Sequence, residues 1–182
     1  MTFVCLDIET TGLIPFFHNI WEVGYVLEPE GEEVLFQIKL SPQALQNADP
    51  KALEINRYHE RVDNEGALFE GDAVAKMAED WAGRSLIAQP ALFDLTFIRN
   101  ILFAYDVNET WSHRAVHDLK TFHLGRLYHT KAEQAIHRQP GIYDVSGDDM
   151  AKYWRVPKPK NQHSALADAI WTRDLARSMG AI

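Results

Sequence analysis

Short apolar runs separated by polar turns characterise the first 40 residues. Residues 3–8 are apolar apart from Asp7, which is typical of a strand buried on both faces of a sheet. Residues 20–27 and 34–40 are two further β-rich runs, and a glutamate-rich stretch with one proline and one glycine separates them. This pattern predicts an antiparallel pair joined by a turn. The second strand of the pair should have one solvated face, because apolar and polar residues alternate along it.

Helical periodicity replaces the strand pattern after residue 40. Asp49 and Pro50 form an N-cap and first-turn pair, which predicts a short helix ending near Tyr58. Further helices are predicted around residues 74–81, over 93–105, from 118 to about 127, from a Ser146 capping box to about Trp154, and from 164 to about 178. Short strands are predicted at 86–88 and 115–117, and a loop at 128–143. We therefore expect an α/β fold with a mixed five-stranded sheet and helices on both faces.

The composition fits one domain spanning residues 1–182. The chain has a mass of 20.8 kDa, and 46% of its residues are hydrophobic and 24% are charged. Its 18 basic and 26 acidic residues give a net charge of −8, which disfavours a broad basic surface gripping long duplex nucleic acid. The single cysteine excludes a disulfide framework and a multi-cysteine zinc site. No apolar run reaches the length of a membrane span and no processing signal opens the chain, so we expect a cytoplasmic protein without membrane contact.

Two acidic residues interrupt the end of the first apolar run. Asp7 and Glu9 are two positions apart, so their side chains project from the same face of a strand. Carboxylates held so close repel each other, and an acid within an apolar strand is costly without a partner. A hard divalent cation such as Mg²⁺ or Mn²⁺ would neutralise the pair. The alternative is a strand end where both acids turn toward solvent, and we favour the metal interpretation.

Three more residues are candidates for the same chemistry. His163 lies in the loop before the last predicted helix, and Asp168 falls in the second turn of that helix. For either residue alone a surface position is the better interpretation, since the chain has eight histidines. Asp94 lies in the first turn of the helix over 93–105, where the helix dipole favours an acid in any case. That helix is predicted to bury one apolar stripe, formed by Phe93, Phe97, Ile98, Ile101, Leu102 and Tyr105.

Taken together, these motifs resemble the DEDDh 3′-5′ exonucleases, a family with a ribonuclease H-like fold. The resemblance rests on Asp7-Ile8-Glu9-Thr10-Thr11-Gly12, on an acid heading a mid-chain helix, and on His163 five residues before Asp168. It extends from residue 3 to about residue 176, and it includes residues 20–24, which are similar to the family's second strand. Asp118 lies where an acid often follows the family's fifth strand. One departure is Ala88-Gln89-Pro90, which stands where the family has a His-Asn pair before its aspartate.

The resemblance implies a metal-dependent hydrolase that cleaves phosphodiester bonds at the 3′ end of DNA or RNA and releases nucleoside 5′-monophosphates. It assigns two Mg²⁺ or Mn²⁺ ions to four carboxylates, those of Asp7, Glu9, Asp94 and Asp168. His163 would act as the general base, a role that suits histidines because they generally titrate near neutral pH. The residues implied to bind the terminal nucleotide are Thr10, Thr11 and Leu13. The expected partner is the 3′ end of a nucleic acid, preferably single-stranded, and proofreading is one role that suits this activity.

A second functional class stays open beside the enzyme. The same fold could serve as a catalytically weak nucleic-acid-binding or replication-accessory module, which would tolerate substitution of Asp7 or His163 without loss of function. A homodimer and a replication partner are both compatible with the sequence. His113 and His117 are four residues apart, but they give a poor zinc signal because no third ligand is evident.

Two pairs of residues near these motifs have competing interpretations. Phe16 and Phe17 follow the first motif, and we expect them to pack onto the sheet rather than to stack on bases. Lys158 and Lys160 lie close to His163 in sequence, where they would either contact phosphates or form a solvated turn.

Overall fold

One mixed sheet of five strands forms the centre of the protein. The computed structural model describes residues 1–112, 116–126 and 146–182. The strands are β1 (Phe3–Thr10), β2 (Ile20–Glu28), β3 (Glu32–Gln37), β4 (Ser85–Ala88) and β5 (Val116–Asp118). They lie in the order β3-β2-β1-β4-β5, with β1-β2 and β2-β3 antiparallel and β1-β4 and β4-β5 parallel. The mixed five-stranded α/β sheet is therefore confirmed, whereas the loop predicted at 128–143 and residues His113 and Ala115 lie outside the described residues.

Helices cover both faces of this sheet, as the sequence predicts. They are α1 (Pro42–Gln46), α2 (Pro50–Ile55), α3 (Tyr58–Arg61), α4 (Glu70–Asp80), α5 (Ala91–Ala104), α6 (residues 119–126), α7 (Gly147–Trp154) and α8 (Ala165–Met179). The sequence missed α1, which Ser41 caps by accepting a hydrogen bond from the amide of Ala44. The helix predicted from Asp49 to Tyr58 is interrupted, because Arg57 has a left-handed φ of 55° and separates α2 from α3.

The two faces of the sheet bury different parts of β1. Val4, Leu6 and Ile8 belong to the core that α4 and α5 cover, whereas Phe3 and Cys5 belong to the core that α7 and α8 cover. Because side chains alternate along a strand, Asp7 and Glu9 continue the second set. The acidic end of β1 therefore projects toward the side of the sheet that carries α8.

Local helix signals were accurate, but the apolar stripe of α5 was wrong at its C-terminal end. The four central stripe residues are buried, while Tyr105 is 44% exposed because α5 ends at Ala104. The Asp49 carboxylate accepts a hydrogen bond from the Lys51 amide at 2.9 Å, which confirms the predicted N-cap. The capping box at Ser146 is also confirmed, with Asp149 as its reciprocal partner. Within the described residues, no helix combines the length and the apolar character needed to cross a membrane.

Candidate active site

Asp7 and Glu9 lie in the floor of a cleft at the C-terminal end of β1. Asp7 lies opposite Gly24 of β2 and Glu9 lies opposite Glu22 in the antiparallel register. Gly24 is required there because α8 begins directly above it. A Cβ atom on Gly24 would lie 2.2 Å from the backbone carbonyl carbon of Ala165. This close approach brings the first turns of α8 over the acidic end of β1.

His163 and Asp168 come from the start of α8. Asp168 lies in the first turns of that helix, and its Oδ2 accepts a hydrogen bond from the backbone N–H of His163 at 2.8 Å. The backbone of His163 is left-handed, with a φ of 61°, and its side chain is exposed. One potential ligand atom each from Glu9, His163 and Asp168 lie within 4.8 Å of one another. Glu9 thus lies beside His163 and Asp168, although more than 150 residues separate them in the sequence.

Asp94 approaches the same cleft from α5, and Asp118 helps to place it. The Oδ2 atom of Asp118, at the end of β5, accepts a hydrogen bond from the Ala91 amide at 2.8 Å, and its Oδ1 accepts one from Thr121 at 2.8 Å. Asp118 therefore caps the first turn of α5 with a negative charge, where the helix dipole favours one. Asp94 follows one turn later and is only 2% exposed.

The cleft has an acidic floor and partly apolar walls. It has a volume of about 280 Å³ and includes Asp7, Glu9, Asp94, His163 and Asp168, together with Ile8, Thr10, Leu13, Ala52, Ile55, Asn56, Gln89, Pro90 and Phe93. Two acceptors among these lining residues, Asn56 Oδ1 and Gln89 Oε1, are buried and have no hydrogen-bond partner within the described part of the chain. Buried acceptors are normally satisfied, so these two atoms indicate a place where a ligand can donate hydrogen bonds.

The carboxyl groups of the floor resist ionisation. Loss of solvent raises the pKa of Asp7 well above its usual range, and the charges of Asp94, Glu9 and Asp168 raise it further. Burial raises the pKa of Glu9 to about 8, with Asp168 adding to the shift and Arg61 opposing it. The pKa of Asp94 is raised to about 8, chiefly by burial, although backbone hydrogen bonds at Asp94 and Ile8 lower it. Burial also raises the pKa of Asp168, against the lowering effect of its hydrogen bond from His163.

This donor set fits a hard divalent cation. All four carboxyl groups have raised pKa values, so a positive charge among them would favour their ionised forms, and Mg²⁺ and Mn²⁺ prefer oxygen ligands. The potential ligand atoms of Glu9, His163 and Asp168 lie within 4.8 Å of one another, so one cation could bind between them. The chain could therefore hold a divalent metal at this floor.

The segment after β1 is a closed loop that presents apolar side chains. The Thr11 side chain is fully buried, its N–H donates to the Asn19 carbonyl at 2.8 Å, and its Oγ1 accepts from the Asn19 amide at 2.9 Å. Thr11 therefore closes the loop and is absent from the cleft lining, whereas Thr10 and Leu13 line the cleft. Leu13 is 75% exposed.

The expectation that Phe16 and Phe17 pack onto the sheet is wrong. They are 82% and 52% exposed, because the closed loop holds their backbone away from the core. The Asn100 side chain also fixes this loop by donating to the Pro15 carbonyl at 2.8 Å. Of the two lysines near the site, Lys158 pairs with Asp148 at 2.8 Å and Lys160 is exposed.

Sequence reasoning missed Glu22, Arg61 and Asn56. Glu22 is 1% exposed and forms an ion pair with Arg61, while Asn56 Nδ2 donates to the Thr10 carbonyl at 2.9 Å. For Glu22 a signal existed, because it is an acid inside an apolar strand, the same feature that singled out Asp7. Arg61 and Asn56 have no such local signal, since the partners that connect them to the site are distant in sequence, namely Glu22, His163 and Thr10.

Comparisons with known proteins place the chain in a family and identify its fold. A family model described as Exonuclease (RNase_T) matches residues 4–175, nearly the whole chain. Among the curated proteins, a PolC-type DNA polymerase III from Ureaplasma parvum is 26% identical over 135 residues, which are 69% of this chain and 9% of that protein. The matched segment is thus a small part of a much longer polymerase.

Solved structures of Escherichia coli exonuclease I share the fold. The complex with a dT13 oligonucleotide has a TM-score of 0.72 and 18% identity, covering 99% of this chain and 40% of that chain. The zinc-bound complex with single-stranded DNA has a TM-score of 0.73 and 19% identity, covering 97% of this chain and 40% of that chain. The chain thus spans less than half of exonuclease I, and the likeness confirms the ribonuclease H-like α/β fold.

Proposed function

The chain belongs to this exonuclease family, and we propose that it is a metal-dependent 3′-5′ exonuclease that releases nucleoside 5′-monophosphates. The single observation that carries the proposal is the convergence of four carboxyl groups and one histidine, from β1, α5 and the start of α8, on one cleft. A catalytically weak binding module has no need of that costly cluster, because uncompensated carboxyl groups destabilise the fold around them.

The floor of the cleft would hold the metal. Asp7, Glu9, Asp94 and Asp168 would be the ligands of two Mg²⁺ or Mn²⁺ ions. When bound, such ions polarise an attacking water and stabilise charge on the leaving 3′-oxygen. The raised pKa values of Glu9 and Asp94 mean that these carboxyl groups give up their protons as the cation binds.

His163 would accept the proton of the attacking water. Its side chain is exposed at the cleft, beside Glu9 and Asp168, so it reaches the reacting atoms from the solvent side. The backbone N–H of His163 is tied to Asp168, which keeps the imidazole next to a proposed metal ligand. A base held in this way can contribute about 10²–10⁴-fold to the rate.

The walls of the cleft suit a single terminal nucleotide. A volume of about 280 Å³ is near the lower limit of small-molecule pockets, which suits one nucleotide. Leu13 and Thr10 would contact that nucleotide, Thr11 would hold the loop that carries them, and Asn56 and Gln89 would accept its hydrogen bonds. Exonuclease I, in its complexes with dT13 and single-stranded DNA, supports single-stranded DNA as the substrate to test first.

A labelled oligonucleotide assay tests this proposal. Single strands of DNA and RNA that carry a 5′ label are incubated with the protein and Mg²⁺ or Mn²⁺. We expect a ladder of products that shorten from the 3′ end, loss of the ladder with EDTA, and protection by a 3′ block. Equal cleavage of blocked and free 3′ ends would contradict the exonuclease proposal, and activity that survives EDTA would contradict the metal.

A further inference from the structure

Arg61 links three segments of the chain behind the turn that carries His163, residues 161–164 between α7 and α8, called here the His163 turn. Its Nη2 donates to the Glu22 carboxylate, and its Nη1 donates to the backbone carbonyl of His163 and, at 2.8 Å, to that of Asn56. The guanidinium also lies 5.0 Å from the centre of the Trp21 ring, and the side chain is only 19% exposed. These contacts hold the Arg61 side chain in one position within the protein.

The Glu22 carboxylate, on β2, connects Arg61 to the sheet. The Glu22 side chain is 1% exposed and lies opposite Glu9, so the two point to the same face. Its Oε1 accepts a hydrogen bond from the Ala165 amide at 3.0 Å, and its Oε2 accepts one from Gln37 at 3.1 Å. Glu22 thus holds the first amide of α8 and Arg61 at the same time. No side chain at the N-cap position of α8 takes over that contact.

The backbone of His163 depends on contacts from outside its own turn. A φ of 61° is a conformation that residues with a Cβ atom adopt rarely, and it persists only where neighbours enforce it. Two neighbours do so, since Asp168 accepts the N–H of His163 and Arg61 donates to its carbonyl. Both backbone polar groups of the proposed general base are therefore fixed, one by α8 and the other by Arg61.

We propose that Arg61 is a positioning residue that fastens the His163 turn to the sheet and so places the imidazole over Glu9 and Asp168. The proposal rests on the proposed function for its catalytic consequence, whereas the fastening itself is a structural statement. Arg61 does not line the cleft, so it acts through His163 and not on the substrate. The contact requires arginine, because a guanidinium can donate to Glu22 and to two carbonyls at once, and a lysine ammonium has no such planar fork.

Arg61→Ala and Arg61→Lys test this inference, with Arg57→Ala as the matched control. Arg57 lies four residues before Arg61, at the start of α3, and carries the same charge. Its side chain is 59% exposed and pairs with Glu60, which is 63% exposed. Steady-state kinetics on a single-stranded oligonucleotide give kcat and KM, and the ¹³Cα and amide NMR shifts of His163 report its backbone. We expect kcat to fall about 10²-fold in Arg61→Ala with little change in KM, and the His163 shifts to lose their left-handed character.

Free guanidinium supplies a further readout that a general loss of stability would not give. Added to Arg61→Ala, it should restore part of kcat and the His163 shifts, while Arg57→Ala keeps wild-type values throughout. Should Arg61→Ala fail to fold, Arg61→Lys retains a cation beside Glu22 and should still show the loss in kcat. A wild-type kcat in Arg61→Lys, a rise in KM alone, or unchanged His163 shifts in the Arg61 variants would each overturn the inference. An inactive wild-type protein would remove the proposed function, and the His163 shifts would still decide the fastening.

Discussion

The floor and the rim of the cleft are built in opposite ways. The floor carboxylates of Asp7, Glu9 and Asp94 project from a central strand and a core helix, where the backbone is regular and solvent is scarce. His163, on the rim, is exposed and lies in a short turn with a left-handed backbone. The floor is thus fixed by the core and destabilised by its charges, whereas the rim is free of that repulsion and depends on a few hydrogen bonds.

This difference explains how one cleft can be both charged and ordered. Regular elements hold the carboxyl groups together although burial raises the pKa of each, and the charges of Asp94, Glu9 and Asp168 raise that of Asp7 further. A metal ion would relieve the floor, and only local contacts can order the rim. Substitutions in the floor should therefore change the free energy of unfolding, whereas loss of the His163 imidazole should leave it nearly unchanged, and both should lower activity.

The largest effect is expected at the floor. Asp7→Asn should reduce kcat by at least about 10³-fold, since a metal contributes several kcal/mol to the transition state. Burial disfavours ionisation of Asp7 in the folded state, and asparagine removes that cost, so the free energy of unfolding without metal should rise near neutral pH. Activity assays and denaturant unfolding in EDTA measure the two effects, and Asp72→Asn, at an exposed acid of α4, is the control. A less stable Asp7→Asn protein would contradict the charged floor.

The rim should show the next largest effect. His163→Ala should lower kcat by at least about 10²-fold because the proposed general base is lost. The free energy of unfolding in EDTA should stay close to that of the wild type, in contrast to Asp7→Asn. His59→Ala removes an exposed histidine of α3 and should leave kcat unchanged. Retained activity in His163→Ala would remove the assignment of the base.

The pH dependence of stability tests the carboxyl groups of the floor. The pKa of Glu9 rises from 4.5 to about 8 on folding, and that of Asp94 rises from 3.8 to about 8. The folded state therefore binds more protons than the unfolded state in this range. Its stabilisation by these groups is complete below about pH 4 and is lost as pH rises toward about pH 8.

Thermal unfolding in EDTA should therefore show a Tm that falls from about pH 4 to about pH 8. The fall should be larger in the wild type than in Asp7→Asn. Saturating Mg²⁺ or Mn²⁺ should remove much of the fall, because a ligand that binds only the folded state stabilises it. A Tm in EDTA that rises over the same window would show that the floor carboxyl groups are not held in their protonated form.

The smallest effect concerns the rim backbone alone. Glycine adopts a positive φ without penalty, so His163→Gly should be more stable than His163→Ala by about 1 kcal/mol. Both variants lack the imidazole and should be equally inactive. Chemical denaturation of the pair measures the difference, and a less stable glycine variant would indicate that position 163 is not left-handed in solution.

The parts of the site that were predicted correctly are those with a local signal. The alternation of β1 placed Asp7 and Glu9 on one face, and short-range caps at Asp49 and Ser146 marked helix starts. These features depend on neighbours within a few residues. The central strands were predicted well for the same reason, because their apolar runs are continuous in the sequence.

The parts that were missed depend on contacts between distant segments. Asp94 was named only through the family resemblance, because its position alone is that of an ordinary first-turn acid, and its burial follows from contacts with β1 and with Asp118, which caps α5. The link from Glu22 through Arg61 to His163 joins three segments that no short window contains. Phe16 and Phe17 were assigned to the core by their hydrophobicity, but hydrogen bonds at the ends of their loop hold them outside it.

Calorimetric titration of the metal-free protein with Mn²⁺ is the decisive test of whether the floor carboxyl groups bind a divalent cation. Run near neutral pH in two buffers of different ionisation enthalpy, it measures metal affinity and the protons released on binding. We expect saturable binding with net proton release, since Glu9 and Asp94 have pKa values of about 8 before the cation binds, and we expect Asp7→Asn to lose that binding. Absence of binding, or binding that releases no protons and is unchanged in Asp7→Asn, would contradict this expectation.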